Sequence, residues 1–218
     1  MTAEIARATR VVVRVPAKVN LELRVGPLRD DGFHDLATTF HAVDIFDEVT
    51  VTPDAEFSVS VTGVGEDKVP TDETNLAYRA AALLAERFDV EERCAISIVK
   101  AIPVAGGMAG GSADAAATLV ACDTLWGLGL RRHELEEIAA ELGSDVPFAL
   151  TGGTALGTGR GEQIVPVLAT GTFEWLFALT HEGLSTPSGD VRLLLGDPLL
   201  VRPFFGLTRP KHPVRGLD

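Results

Sequence analysis

The sequence predicts an α+β fold, and three observations support that prediction. A strand-like run at 94–100 leads into a glycine-rich loop, and a helix-like run at 113–125 leads out of it. At 57–61, apolar residues alternate with polar ones, which is the pattern of a half-buried strand. At 76–88, apolar residues recur at helical spacing, and residues that commonly cap helices come directly before them. This pattern indicates an amphipathic helix.

The composition limits both the size of the fold and its partners. The 218 residues are 46% hydrophobic, which is enough for one large domain, or for one domain and a small second one. The net charge of −12 repels polyanions, so we expect neither nucleic acid nor a membrane surface as a partner. No run reaches the ~18 apolar residues of a membrane span. The first residues lack the apolar core of a signal peptide, so we expect a cytoplasmic protein.

Two cysteines, Cys94 and Cys122, lie in a predicted strand and a predicted helix. We interpret them as buried free thiols in a reducing compartment. A disulfide between them is the alternative.

Two predicted strands open the chain. The first runs from 11 to 15 and ends at Pro16, and the second runs from 17 to 25. Alternation in the second strand predicts half-burial of four residues, Val19, Leu21, Leu23 and Val25. Lys18 and Asn20 lie on its other face, where a solvated lysine and asparagine are the ordinary outcome.

A turn-rich loop at 26–33 and a strand at 43–51 follow. Thr74 and Asn75 then precede the helix at 76–88 and are suited to cap it. The remaining predicted elements are a helix at 132–142, a hairpin at 151–167 and a strand at 173–179. Between them, Asp145 is suited to cap a short helix with Pro147 in its first turn.

The glycine-rich loop at 103–114 is the segment with the clearest chemistry. Strand, glycine-rich loop and helix present bare main-chain N–H groups to an anion at a helix N-terminus. Glycine allows close approach because it has no Cβ. We interpret the loop as holding the phosphates of a nucleotide. It is not a P-loop, because no lysine follows the glycines, and it lacks the spacing of a dinucleotide fingerprint; a tight turn in a compact core is the alternative.

This loop also resembles a known motif. Residues 103–114 are similar to the central motif of the galactokinase, homoserine kinase, mevalonate kinase and phosphomevalonate kinase superfamily, and more closely to that of the 4-diphosphocytidyl-2-C-methyl-D-erythritol kinases. The resemblance implies a two-lobed small-molecule kinase that uses ATP and Mg²⁺, with an N-terminal lobe like ribosomal protein S5 domain 2. It implies a cofactor-binding loop that consists of Pro103, Val104, Ala105, Gly106, Gly107, Met108, Ala109, Gly110, Gly111, Ser112 and Ala113.

Three further segments carry the same resemblance. They are Pro16-Ala17-Lys18-Val19-Asn20-Leu21, Asp31-Gly32-Phe33-His34 and Gly143-Ser144-Asp145-Val146-Pro147. The resemblance implies catalytic roles for Lys18 and Asp145, with the aspartate as acid or base. It implies that Ser112 reaches Mg²⁺. The substrate-binding residues that it implies are Asn20, Phe33, His34 and Thr186, with Phe33 stacking on the cytosine ring of the substrate.

The resemblance ends near Pro187, where the character of the chain changes. Residues 187–218 carry five Lys or Arg against three Asp or Glu, and they contain five prolines, which leave no room for a helical layer. We therefore expect an N-terminal ATP-binding kinase domain at 1–165 and a truncated or divergent C-terminal lobe at 166–218. A shifted reading frame and a natural short form are both open explanations.

Three functions follow as hypotheses. The first is ATP-dependent phosphorylation of the 2-hydroxyl of 4-diphosphocytidyl-2-C-methyl-D-erythritol, a small molecule that carries cytidine diphosphate, by a monomer or weak homodimer. The second is another kinase of the superfamily, of the homoserine or mevalonate type. The third is a catalytically inactive nucleotide-binding protein that lacks part of its second lobe.

Overall fold

The computed structural model describes residues 8–28, 32, 34–104, 106–171, 173–177 and 207–209. Within these residues, no helix combines the length and the apolar character that crossing a membrane requires. The strands are β1 (Val11–Leu28), β2 (His34–Asp54), β3 (Ser58–Gly63), β4 (Arg93–Lys100), β5 (Thr154–Thr158), β6 (Gln163–Pro166), β7 (Glu174–Leu176) and β8 (Leu207–Arg209). The helices are α1 (Leu76–Arg87), α2 (Gly110–Trp126), α3 (Arg132–Leu142) and α4 (Val146–Thr151), with a short 3-10 turn at Glu66–Lys68.

The long strand β2 organises a six-stranded sheet. β1 pairs antiparallel with it along almost its whole length. On the other edge, β4 pairs with the second half of β2 and β5 pairs with the first half. β3 joins β4 in parallel, and β6 joins β5 antiparallel. The predicted α+β architecture is confirmed.

The core lies between this sheet and helices α1 and α2. Val49 and Val51 of β2 and Ile96 and Ile98 of β4 are fully buried on the sheet face. Helix α2 is buried on most of its surface and rich in alanine, so it packs close to the sheet. Cys94 and Cys122 are free and buried in this core, with their sulfurs 3.9 Å apart, as predicted.

The predicted break at Pro16 is wrong, because β1 runs through it. The strand shifts register between Pro16 and Ala17, and a proline is tolerated at such a bulge on an edge strand because it has no N–H to pair. A second shift lies between Asn20 and Glu22. A bulge changes which face the following side chains occupy.

One burial prediction in β1 is wrong. Val19 is buried, as expected, but Leu21 and Leu23 are 43% and 40% exposed. Glu22 and Arg24 are exposed as well, so both faces of β1 are open to solvent beyond the bulge. The predicted turn at 26–33 is shorter than expected, because β1 extends to Leu28.

Several predicted elements differ only in their ends. Helix 132–142 is confirmed without change, and helix 113–125 begins three residues earlier, at Gly110. Asn75 caps α1 by accepting a hydrogen bond from the Ala77 N–H. The hairpin after residue 151 is confirmed as β5 and β6, and the strand at 173–179 is reduced to Glu174–Leu176 among the described residues. Most of 166–218, the predicted second lobe, lies outside them.

Candidate active site

The glycine-rich loop ends at an uncapped helix N-terminus. Ala109 occupies the N-cap position of α2 and forms no side-chain cap. Its φ is +58°, a left-handed conformation that costs a non-glycine residue about 1–2 kcal/mol. Gly110, Gly111 and Ser112 form the first helical turn, where main-chain N–H groups lack partners within the helix. This end of α2 is suited to bind an anion.

Main-chain hydrogen bonds hold the loop against the sheet. The Lys18 N–H donates to the Met108 carbonyl at 3.2 Å, which joins β1 to the loop. The Val64 N–H donates to the carbonyl of Lys100, the last residue of β4. Ala101 and Ile102, which connect β4 to the loop, donate their N–H groups to the side-chain oxygen Asp47 Oδ1 at 2.7 and 2.8 Å.

Lys18 and Asp145, which are 127 positions apart in the sequence, are brought together beside this loop. Lys18 Nζ lies 3.4 Å from Asp145 Oδ2, and the exposed fractions of the two side chains are 11% and 33%. Lys18 Nζ also donates to Asn20 Oδ1 at 2.9 Å. The lysine is therefore largely buried, while the carboxylate stays partly open to solvent.

Asp145 does not cap α4 with its side chain. The residue occupies the N-cap position and Pro147 lies in the first turn, as the capping hypothesis requires, but no cap hydrogen bond forms. The carboxylate faces Lys18 instead. The local pattern predicts the position of Asp145 correctly and the partner of its side chain wrongly.

Two aromatic residues that were not predicted as site residues lie next to Lys18: Phe40 contacts its ammonium, and Phe148 packs on Phe40. Lys18 Nζ lies 5.6 Å from the centroid of the Phe40 ring, a distance at which a cation is attracted to an aromatic face. Phe40 stacks on Phe148 of α4, with the ring centroids 4.8 Å apart. This stack connects β2 to the helix that begins next to Asp145.

Of the predicted substrate-binding residues, Asn20 contacts Lys18, whereas His34 lies away from the Lys18–Asp145 pair. His34 Nδ1 lies 2.8 Å from the Gly26 carbonyl oxygen, near the end of the β1–β2 pair. It lies eight positions along β2 from Ala42, the partner of Lys18, which corresponds to about 25 Å of extended chain. Ala105, Phe33 and Thr186 lie outside the described residues.

A buried charged cluster that sequence reasoning missed lies under the loop. We name Asp47, Lys100 and Asp114 the buried triad. Lys100 Nζ donates to Asp47 Oδ2 and, at 2.6 Å, to Asp114 Oδ2. The three side chains are 0%, 2% and 3% exposed in that order. A Cβ on Gly110 would come within 3.1 Å of Lys100 Nζ, so the ammonium lies directly beneath the start of α2.

The alternation of β4 contained the signal for this cluster. Lys100 continues the buried series that consists of Cys94, Ile96 and Ile98, and a lysine in such a register must find buried carboxylates. Burial raises the pKa of Asp114 to about 7, more than nearby Lys100 lowers it, and the Asp47 charge adds to the increase. Asp114 Oδ1 has no hydrogen-bond partner within the described structure.

Comparison with known proteins shows the family to which the chain belongs. Residues 75–153 match the family model described as GHMP kinases N terminal domain. The 4-diphosphocytidyl-2-C-methyl-D-erythritol kinase of Nocardia farcinica is 50% identical, over 90% of this chain and 71% of that protein. The kinase of the same name from Mycolicibacterium smegmatis is 60% identical, over 86% of this chain and 59% of that protein. The chain thus spans little more than half of the length of several relatives.

Solved structures show the same fold. A crystal structure of 4-(cytidine 5'-diphospho)-2C-methyl-D-erythritol kinase is similar with a TM-score of 0.59 and 37% identity, over 72% of this chain and 55% of that one. The mevalonate kinase of Methanococcus jannaschii, at 12% identity and a TM-score of 0.54, covers 75% of this chain and 57% of that one and shares the fold alone. The described residues have the fold of the N-terminal lobe of these kinases, and the chain belongs to the 4-diphosphocytidyl-2-C-methyl-D-erythritol kinase family of the GHMP kinases.

Proposed function

We propose that this chain transfers the γ-phosphoryl group of ATP to the 2-hydroxyl of 4-diphosphocytidyl-2-C-methyl-D-erythritol, a step of the non-mevalonate route to isoprenoid precursors. The observation that carries the proposal is the contact of Lys18 Nζ with Asp145 Oδ2 at 3.4 Å, in a residue whose main-chain N–H donates to the Met108 carbonyl just before the uncapped start of α2. Phosphoryl transfer depends on positioning and charge stabilisation, and these are the two properties that the cleft offers.

The loop supplies the phosphate site. Main-chain N–H groups of 106–113 surround the ATP phosphates at the start of α2, where the helix dipole favours negative charge. Gly106, Gly107 and Gly111 are exposed, so the backbone is accessible to a ligand. This local field counters the overall charge of −12.

Mg²⁺ fits this site as an ion that arrives with the nucleotide. The part of the chain that the structure describes contains no group of three or more His, Cys, Asp or Glu arranged for a metal. Mg²⁺ needs few protein ligands when phosphates supply the others. Bound in this way, it would neutralise phosphate charge. The Ser112 hydroxyl, in the first turn of α2, is the oxygen donor that we propose for it.

Asp145 and Lys18 act on the acceptor alcohol. Asp145, partly open to solvent, accepts the proton of the substrate hydroxyl or orients that hydroxyl for attack. Lys18 offsets negative charge that develops on the transferred group. Both roles require the two side chains to stay in contact.

The substrate side of the proposal depends on family resemblance. Asn20 lies at the cleft through its hydrogen bond to Lys18, and we assign it to the substrate. We assign Phe33 and His34 to the cytosine ring and Thr186 to the substrate side of the cleft. We place ATP binding in residues 1–165 and a second, divergent lobe in 166–218. The two buried free thiols fit a reducing, cytoplasmic location.

A panel of alcohols tests the proposal. The purified chain is incubated with Mg-ATP and 4-diphosphocytidyl-2-C-methyl-D-erythritol, homoserine or mevalonate, and ³¹P NMR follows the new phosphate ester. We expect an ester with the first alcohol only. Transfer to homoserine or mevalonate would identify another kinase of the superfamily, and nucleotide binding without any ester would identify an inactive nucleotide-binding protein.

A further inference from the structure

Lys18 is one end of a chain of three hydrogen bonds. Lys18 Nζ donates to Asn20 Oδ1 at 2.9 Å. Asn20 Nδ2 donates to Thr38 Oγ1 at 2.7 Å. Thr38 Oγ1 donates to the main-chain carbonyl of Glu22 at 2.8 Å. The chain therefore runs from the proposed catalytic lysine, across β1 and β2, to a backbone acceptor.

The chemistry of the groups fixes the direction of every bond. An ammonium can only donate, so Asn20 must present its oxygen to Lys18. The amide nitrogen then points at Thr38, whose hydroxyl must accept that bond. A hydroxyl has one proton to donate, and here it donates that proton in a hydrogen bond to the Glu22 carbonyl.

The fold provides the unusual acceptor. Leu21 is an extra residue in β1, because Asn20 pairs with Phe40 and Glu22 pairs with the adjacent Thr39. A bulge disrupts the ladder locally, and at this bulge the Glu22 carbonyl accepts a side-chain hydroxyl. Thr38 is only 4% exposed, so solvent does not readily replace it as the partner of Asn20.

We propose that Thr38 is a positioning residue for phosphoryl transfer, because its hydroxyl fixes the Asn20 amide with the oxygen toward Lys18. This inference rests on the proposed function of Lys18 and Asp145. Without the hydroxyl, the Asn20 amide can rotate and present its NH₂ group to the ammonium, so that two donors face each other. Lys18 would then lose its shortest contact, the hydrogen bond to Asn20 Oδ1. Its contacts with Asp145 at 3.4 Å and with the Phe40 ring at 5.6 Å would remain.

Kinetics of three variants test the role. Thr38→Val keeps the shape and removes the hydroxyl, and we expect kcat to fall about 10–100-fold, the scale of a small misplacement at a reacting centre. The KM for ATP should stay within about twofold, because the loop is untouched. Thr38→Ser should restore most of the rate. Thr39→Val, the same change on the opposite face of β2, is the matched control and should leave kcat unchanged.

A double-mutant cycle separates positioning from general damage to the strand. Asn20→Ala removes the amide, so no amide orientation remains for Thr38 to fix. We expect Thr38→Val to change kcat by less than about twofold in the Asn20→Ala background, which is the limit of additivity for such cycles. An equal loss in both backgrounds would show that Thr38 does not act through Asn20 and would overturn the proposal.

A spectroscopic measurement distinguishes this inference from the proposed function. The ¹H–¹⁵N NMR signal of the Lys18 ammonium, assigned by its loss in Lys18→Met, reports on hydrogen bonding without turnover. We expect the signal in the unmodified chain and in Thr39→Val, and its broadening in Thr38→Val. An unchanged signal in Thr38→Val would contradict the positioning role even if the chain is an active kinase. Broadening in a chain without kinase activity would support the positioning role and reject the proposed function.

Discussion

The structure contains two lysine–carboxylate groups that differ in exposure and surroundings. Lys18 meets Asp145 at 3.4 Å, and the aspartate is 33% exposed. Lys100 meets Asp47 and Asp114 in the buried triad, where no side chain is more than 3% exposed. The same residue types therefore serve different purposes. An open pair can reach a substrate, whereas a buried cluster can only hold its own elements together.

The two lysines hold the glycine-rich loop from two sides. The Lys18 N–H binds the Met108 carbonyl near the end of the loop. Lys100 immediately precedes the loop, and its ammonium lies beneath Gly110, where α2 begins. The buried triad thus joins β2, β4 and α2 under the proposed phosphate site. Lys100 thus supports the loop from beneath, and Lys18, to which we assign a role in phosphoryl transfer, holds it from the side of β1.

Removal of each lysine gives the largest expected contrast in stability. Lys100→Met leaves two buried carboxylates without their cation, and we expect a loss of about 3–5 kcal/mol in the free energy of unfolding. Lys18→Met removes a partly exposed contact and should cost at most about 1 kcal/mol. Urea unfolding monitored by circular dichroism measures both values. Equal losses of unfolding free energy in the two variants would contradict the distinction between a buried, structural lysine group and a more exposed one.

The pH dependence of stability sharpens the contrast within the buried triad. Burial raises the pKa of Asp114 to about 7 in the folded protein, well above its unfolded value. Between these two values the folded state binds more protons than the unfolded state, so this group's contribution falls as the pH rises from about 4 to 7. Asp114→Asn should flatten that part of the stability profile. Its effect should be smaller than that of Lys100→Met, because only one carboxylate changes.

Urea unfolding at several pH values between 4.5 and 8 measures the Asp114 effect. Asp89→Asn, which alters an exposed aspartate after α1, is the matched control and should keep the slope of the unmodified chain. The same slope in Asp114→Asn would mean that another group is responsible.

Two adjacent glycines give the smallest expected effects. In Gly110→Ala the new Cβ would lie 3.1 Å from Lys100 Nζ and 3.2 Å from Ile102 Cγ2, and we expect a loss of about 1–3 kcal/mol from overpacking. In Gly111→Ala the nearest atom is Leu76 Cδ1 at 3.7 Å. That change should be neutral or should stabilise by up to about 1 kcal/mol, because it replaces a glycine within a helix. Thermal unfolding compares the two, and equal effects would contradict tight packing beneath Gly110.

The sequence predicted what depends on local pattern. The strand, loop and helix around 103–114 were predictable because glycine spacing and alternation are local properties. The bulge after Asn20 was not, because an extra residue in β1 is defined only by its pairing with β2. The exposure of Leu21 and Leu23 at and after that bulge was likewise absent from the local alternation.

The candidate site was predictable only in part. Resemblance of motifs suggested Lys18 and Asp145 as a pair, but their contact depends on how α4 packs against the sheet, which no local pattern contains. The buried triad was missed because lysine is ordinarily a surface residue. Lys100 nevertheless continues the buried alternation of β4, and that signal was available in the sequence.

The phosphoryl-transfer rate of Asp145→Asn tests the central claim most directly. The rate is measured with Mg-ATP and 4-diphosphocytidyl-2-C-methyl-D-erythritol, alongside ATP affinity by calorimetry and the midpoint of thermal unfolding. We predict a fall in kcat of roughly 10²–10⁴-fold, the range for loss of a general acid or base, with ATP affinity and the unfolding midpoint unchanged. Turnover close to that of the unmodified chain would contradict the claim that the Lys18–Asp145 pair acts on the substrate alcohol.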